Sequence, residues 1–321
     1  MEKINISEKM EKIKHTFLSY GAGTQTFFLL VLAEQGKIAI DELVFADTGI
    51  EKPETYNHIE KVAKPICERM GIPFTTVRMS KEIDDISSLS AEELNEYKSF
   101  IAQSKHAPRT GKKREEYRKW YDEHKVPRTI VDNLYDETYK RRRVPSINPR
   151  SRFCTSDAKI IPIENYIKEQ VSLGKYENPV AFIGLSYDEL TRMYKPHNNI
   201  YTVSYPLIDM KLTRQDCIRL TKQLGYEVPP KSGCYICPFQ NKASWAKLRK
   251  EHKDLYWRAV ELEEHDLNFP RYRLSVSLDT KGPLRKFDSY FSDTTQLNLH
   301  MEEANLDKDM MHCEIAGMCG V

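Results

Sequence analysis

"FLSYGAGTQTFFLL", residues 17–30, sets an apolar strand-like run against a turn with glycines at 21 and 23, then enters an apolar helix-like run. Glycines there let the backbone turn sharply and come close to a ligand. The N–H groups of Gly21, Ala22, Gly23, Thr24, Gln25 and Thr26, at the start of a helix, point partial positive charge at whatever the turn holds. Ser19, Thr24 and Thr26 add hydroxyl groups. Such a turn suits phosphate. It is not a Walker A loop, since no Gly-Lys-Ser/Thr follows, and it is not GxGxxG. A strand-to-helix turn that holds no ligand, common in α/β folds, is the plainer alternative.

On either side of this turn, "HTFLSY" reads as a buried strand and "TQTFFLLVLAEQG" as a helix ending at Gly36. "DELVFADTG" is a second strand with a turn, "ETYNHIEKVAKPICERMG" a second helix closed by Gly71, and "PFTTVRM" a third strand. This alternation with short connections predicts an α/β fold built on a parallel sheet with right-handed crossovers. Ligands of such sheets bind at the carboxyl ends of the strands, where both the opening turn and "ADTG" (Asp47, Thr48, Gly49) lie. Residues 80–150 carry no strand pattern; they are polar and then basic, with helical stretches such as "SAEELNEYKSFIAQ" and "REEYRKWYDEH", and read as a helical insertion. The sheet pattern resumes at "NPVAFIGLS" (178–186) and "YTVSYPLI" (201–208). "TRQDCIRLTKQLG" is a helix with Thr213 at its N-cap. Beyond "PPKSGCYICPFQ", the run "NKASWAKLRKEHKDLYWRAVELEEH" predicts one long amphipathic helix with Trp245, Leu248, Leu255, Ala259 and Leu262 on one face. The expected division is an α/β domain over 1–240, carrying the 80–150 insertion, and a helical extension with a cysteine-containing tail over 241–321.

No apolar run approaches the ~20 residues of a membrane span. The start, "MEKINISEKMEKIKH", has no apolar h-region, so a cytoplasmic protein without membrane contact is expected. Seven cysteines, an odd count without a secretory signal, favour reduced thiols over a disulfide framework. The net charge of +2 hides an uneven distribution: residues 105–152 hold 15 Lys/Arg against 7 Asp/Glu, a local +8. That balance suits a polyanion such as nucleic acid or a phosphorylated ligand, with a solvated helical face as the alternative.

"SYGAGTQT" resembles the Ser-Gly-Gly-x-Asp-Ser loop of the N-type ATP pyrophosphatases, the adenine nucleotide α-hydrolase-like (PP-loop) superfamily. "FADTGIEKPETY" is similar to the Asp-Thr-Gly-x-x-x-x-x-Glu-Thr-Tyr segment of its phosphoadenylyl-sulfate (PAPS) reductase-like branch. The resemblance implies an adenine nucleotide at the loop and at Asp47, Thr48 and Gly49, with Mg2+ accompanying ATP. The chain departs from the pattern at Gln25, where that loop usually carries an acidic residue, and at Thr26 in place of Ser. "GLSYDELTRM" (184–193) and "YPLIDM" (205–210) match the branch's Gly-x-x-x-x-Glu-x-x-Arg and Tyr-Pro-Leu segments. Arg192 and Lys159 are then candidate phosphate or sulfate contacts, against the plainer reading of salt bridges.

Cys154 in "RFCTSDAKIIP" and the pair Cys234 and Cys237 in "SGCYICPFQ" make a second constellation. A CxxC after glycine is a chelate-ready turn, and a third thiolate begins to close a soft-metal site. Its spacing resembles the CC, about eighty residues, CxxC signature of adenylyl-sulfate (APS) reductases, which bind a 4Fe-4S cluster; Phe153 replaces the first cysteine here. The fourth ligand is Cys217, Cys313 or Cys319, or is absent, as in members of the family that thiolate RNA. Zinc suits the same thiolates. Cys67 and Cys217, on predicted helices, also suit small core residues. "RFCTSDAKIIP" and "GCYICP" further resemble segments of the sulfurtransferase subunit of DNA phosphorothioation.

Together these resemblances imply an enzyme that splits ATP to AMP and pyrophosphate and activates a substrate, with nucleic acid as the candidate, for sulfur transfer. One alternative is an APS or PAPS reductase working with a thioredoxin-like protein, its nucleophile the tail cysteine Cys319 in "MCGV". Another is a non-catalytic nucleotide-binding accessory protein of a phage or defence locus.

Overall fold

The computed structural model of the chain describes residues 14–104, 126–147, 153–193, 199–271 and 282–292, with a few isolated positions between them. Cys313 and Cys319 lie outside the described residues, as does nearly half of the 105–152 basic segment.

Five strands form one all-parallel sheet: β1 (Lys14–Ser19), β2 (Glu42–Asp47), β3 (Phe74–Arg78), β6 (Glu177–Ile183) and β7 (Thr202–Ser204), in the order β3-β2-β1-β6-β7. This is the α/β architecture that the strand–helix alternation requires. The order runs one way from β1 to β3 and the other way from β1 to β7. The switch point therefore lies between β1 and β6, where the connections at the carboxyl ends diverge and leave a crevice.

Alternate residues of the central strands point to opposite faces, and both faces are covered. Leu18, Leu43 and Phe45 pack with helix α1 (Thr24–Glu34) and with Ile66 and Cys217. Phe17, Val44, Ala46 and Ala181 pack on the other face against Ile163, Ile167 and Tyr201. Helix α1 is buried without a break from Thr24 to Ala33, which explains why its sequence is apolar all round.

Two helices contain a widened π turn just before a proline: Ile59–Ala63 precedes Pro65, and Ser156–Ile160 precedes Pro162. A proline inside a helix lacks an N–H and its ring collides with the carbonyl four residues earlier, so the preceding turn opens. Gly71 then closes the first of these helices in the left-handed region at φ 68°.

Three expectations are corrected. The 80–150 region contains strands after all: β4 (Lys81–Asp84) and β5 (Arg128–Val131) pair antiparallel. They are four residues each and far apart in sequence, too short for a period-two pattern to show. The predicted long helix is two, Lys242–Glu251 and Lys253–His265, broken at His252 (φ −135°, ψ 66°). The apolar spacing survives the break: Trp245, Leu248, Ala259 and Leu262 share one cluster with Ile50, Ile83, Val131 and Leu134, with Leu255 at its margin. The last strand ends at Ser204, because Pro206 starts a short helix, Pro206–Asp209.

Candidate functional site

A cleft of about 1110 Å³, its open mouth included, sits at the carboxyl ends of β1 and β6. Its floor is the opening turn: Gly21, Gly23, Thr24, Gln25 and Thr26 line it. The residue that turns left-handed there is Ala22 (φ 55°), not either glycine. At Gly23 space is tight instead, since a Cβ on it would lie 3.1 Å from Ser232 Oγ. Gly23 is also the N-cap of α1, and no side chain caps that helix. The first turn of α1 is thus left without a side-chain cap where its residues line the cleft.

The opposite edge is the turn after β6. Gly184 fits there because it has no side chain: a Cβ would lie 2.6 Å from Thr26 Cγ2 and 2.9 Å from Thr26 N. This close approach brings Glu189 across to the loop. Gln25 Nε2 donates to Glu189 Oε2 at 3.3 Å and to Ser186 Oγ at 3.5 Å. Glu189 in turn caps Ser186 and pairs through Oε1 with Arg192 Nη1; both side chains are buried. Arg192 is therefore an interior ion pair on the cleft wall rather than a surface one.

The third wall carries sulfur. Cys154, Cys234 and Cys237 all line the cleft and are partly buried. The CxxC turn closes by a bond from Cys237 N to Cys234 O at 3.0 Å, and Gly233 reaches φ 150°, a value that favours glycine. Lys159, brought to the cleft on the π turn before Pro162, lies 3.8 Å from Glu51 Oε1. Glu51 is 3% exposed and sits among four partners: Thr48 Oγ1 at 3.3 Å, Gly233 N at 3.0 Å, Cys234 Sγ at 3.5 Å and Lys159. Burial, and next the Glu51 charge, push the Cys234 thiol well above the usual range, while Lys159 pulls it back. Without a metal this sulfur keeps its proton.

The three thiols suit a soft metal, and their spread discriminates among such metals. Among the described residues, Glu54, Glu251 and His252 are the only group of three potential ligands whose donor atoms lie within 4.8 Å of one another. The cysteine sulfurs are thus more widely spaced, whereas a zinc tetrahedron with ~2.3 Å bonds needs sulfurs about 3.8 Å apart. A cluster, being larger than one ion, takes thiols set further apart than a single zinc does.

Several residues expected at the site are elsewhere. Ser19 and Ala22 are buried and do not line the cleft. Asp47 also faces away: it accepts from Arg78 Nη2 at 2.7 Å, Tyr56 Oη at 2.7 Å and Gly49 N at 2.9 Å. Of "DTG", only Thr48 lines the cleft. Gly49 (φ 74°) leaves room for Asn133 and lines a second cavity with Tyr56, Tyr135 and Tyr235. Cys217 is fully buried in the core beside α1, away from the cluster that holds Cys154 and Cys234, so it is no fourth ligand. The sequence reading missed Glu51, Arg214, Lys231 and the link from Gln25 to Glu189, of which Arg214 and Lys231 line the cleft directly. Glu51 and Glu189 fall inside segments already singled out, yet only the fold shows what they touch.

No family model matches the chain. In sequence it is similar to an uncharacterized nin region protein, ORF290, of Escherichia phage lambda, 25% identical over 239 residues, which is 74% of this chain and 69% of the relative. Among solved structures it is similar to the U34-tRNA thiolase NcsA from Methanococcus maripaludis with its 4Fe-4S cluster, at a TM-score of 0.38 and 15% identity over 88% of this chain and 82% of that one. No helix among the described residues is long and apolar enough to cross a membrane.

Proposed function

We propose that the chain is an adenine-nucleotide-dependent enzyme of sulfur transfer. The observation that carries this reading is co-location: the uncapped N-terminus of α1 and the cysteines Cys154, Cys234 and Cys237 line one cleft. Phosphates seated against the N–H groups from Gly21 to Thr26 place the nucleotide's reactive end toward the thiol wall. Preoriented donors of this kind stabilise charge that develops on phosphate oxygens. Thr24 and Thr26 add hydroxyls, and Lys159 and Arg192 add charge in the same cleft. Cys154, Cys234 and Cys237 would hold an iron–sulfur cluster, which when bound supplies a site that carries sulfur. The basic 105–152 segment would hold a nucleic acid acceptor, with the salt-dependent affinity such contacts bring.

Anaerobic purification followed by a visible spectrum and iron analysis tests the thiol wall. Incubation with ATP, magnesium and candidate nucleic acids, with assay for AMP and pyrophosphate, tests the nucleotide floor. Absence of AMP with every acceptor counts against ATP as the nucleotide. A second reading is reduction of a sulfonucleotide, whose phosphate and sulfate the four cationic side chains lining the cleft against one carboxylate would also neutralise. Sulfite release from APS or PAPS with thioredoxin, lost in Cys319→Ser, would establish it.

A further inference from the structure

The oxygen donors around this cleft do not suit a hard divalent cation. Magnesium takes near-octahedral oxygen ligands, usually one or two carboxylates besides phosphate oxygens. Among the described residues lining the cleft, the single carboxylate is Glu189, facing Lys159, Arg192, Arg214 and Lys231. Glu189 is already committed. Its Oε1 takes Arg192 Nη1, and its Oε2 takes Gln25 Nε2 at 3.3 Å, Ser186 N at 3.4 Å and Ser186 Oγ at 3.3 Å. The two carboxylates beside the cleft residue Thr48 are committed as well, Glu51 to Thr48, Gly233 and Lys159, and Asp47 to Arg78, Tyr56 and Gly49. The loop position that is usually acidic holds Gln25, and the first turn of α1 has no acidic residue.

Arg192 gives the opposite signal. Its side chain is 8% exposed, it lines the cleft, and its Nε has no hydrogen-bond partner. A buried guanidinium N–H in that condition calls for an acceptor, and an anionic oxygen in the cleft would supply one. The uncapped N-terminus of α1 faces the same space and asks for the same partner.

We propose that this cleft binds the phosphate or sulfate of its ligand without a divalent cation, neutralising it with Arg192 and the neighbouring lysine and arginine side chains, while Glu189 ties Gln25 to Arg192. The carboxylate missing from the loop has moved to the turn after β6, and there it positions two donors instead of holding a metal. This rests on the nucleotide reading above.

Calorimetric titration of ATP and of APS into anaerobically purified protein, with magnesium and with magnesium withheld, tests it. For whichever nucleotide binds, the expected affinity changes by less than about threefold when magnesium is withheld, and falls by at least about tenfold in Arg192→Gln in both buffers. A loss above about threefold on withholding magnesium overturns the inference and leaves the nucleotide reading standing. Failure of both ligands to bind in either buffer overturns both. The magnesium comparison uses the unaltered chain, so it holds whether or not R192Q folds. Unchanged binding by folded R192Q removes Arg192 from the site.

Discussion

Two carboxylates are buried at opposite ends of one sheet, and their surroundings differ. Glu42, at the amino end of β2, is 1% exposed and accepts from neutral hydroxyls: Tyr166 at 2.6 Å, Tyr176 and Thr75, with His15 Nε2 at 3.5 Å. His15 is in β1, Thr75 in β3, and Tyr176 immediately precedes β6, so the cluster ties together the amino ends of four strands. Burial and the bonds to Glu42 push both phenols upward, which keeps them protonated donors. Glu189, at the carboxyl end, sits instead between an amide and a guanidinium that lines an open cleft. One carboxylate closes the fold. The other arranges donors that still have room for a ligand.

This contrast predicts that changes at the carboxyl end cost binding, while changes at the amino end cost stability. The largest effect is expected from Cys234→Ser, which removes one of the three partly buried thiols of the cleft wall; if the wall holds a cluster, iron analysis of the variant should find it lost. Retained iron would take Cys234 out of the ligand set. Next comes Gly184→Ala, whose Cβ would sit 2.6 Å from Thr26 Cγ2 and 2.9 Å from its backbone nitrogen. Overpacking of this kind costs about 1–3 kcal/mol. Because the displaced atoms are the floor of the cleft, nucleotide affinity should fall as well, by about tenfold. Glu42→Gln should do the reverse. It sets amide hydrogens against hydroxyls that were donating, at a cost of about 1–3 kcal/mol in denaturant unfolding, with nucleotide affinity unchanged. If affinity fell with it, the two ends would be coupled and the contrast would fail.

What could be read from the sequence was what is local. The strands β1, β2 and β3, the helices between them and the Thr213 cap all follow from periodicity and punctuation within a dozen residues. Thr213 does accept from Asp216 N, at 3.2 Å. The uncapped glycine turn was legible for the same reason. The link from Gln25 to Glu189 spans 164 positions, and no spacing rule announces it. Gly184 was quoted as the first letter of a motif, but its purpose, contact with Thr26, appears only when β6 lies beside β1. The break at His252 was hidden because neither glycine nor proline marks it and the apolar spacing continues across it. Asp47 was misplaced because the same residue type serves a turn and a ligand equally well. Here Arg78 on β3, its register partner, claims the carboxylate.

The smallest predicted effect sharpens the same comparison through the cysteines. Cys67 and Cys217 are buried in the core beside α1, and burial pushes each thiol from its usual 9.0 up to about 12. In the unfolded chain these thiols lose their protons as pH passes 9.0, whereas in the folded chain they keep them until about 12. The unfolded state therefore binds fewer protons across that window, and stability falls as pH rises through it. At half a unit above the unfolded value the loss is roughly 0.8 kcal/mol per thiol. Urea unfolding of Cys67→Ala and Cys217→Ala against the parent chain, at neutral pH and at mildly alkaline pH, isolates the effect. Each variant should lose stability to its cavity at both pH values and show a shallower alkaline decline than the parent. A decline as steep as the parent's would mean that the core thiols ionise as freely as exposed ones, and that burial beside α1 does not hold their protons in place.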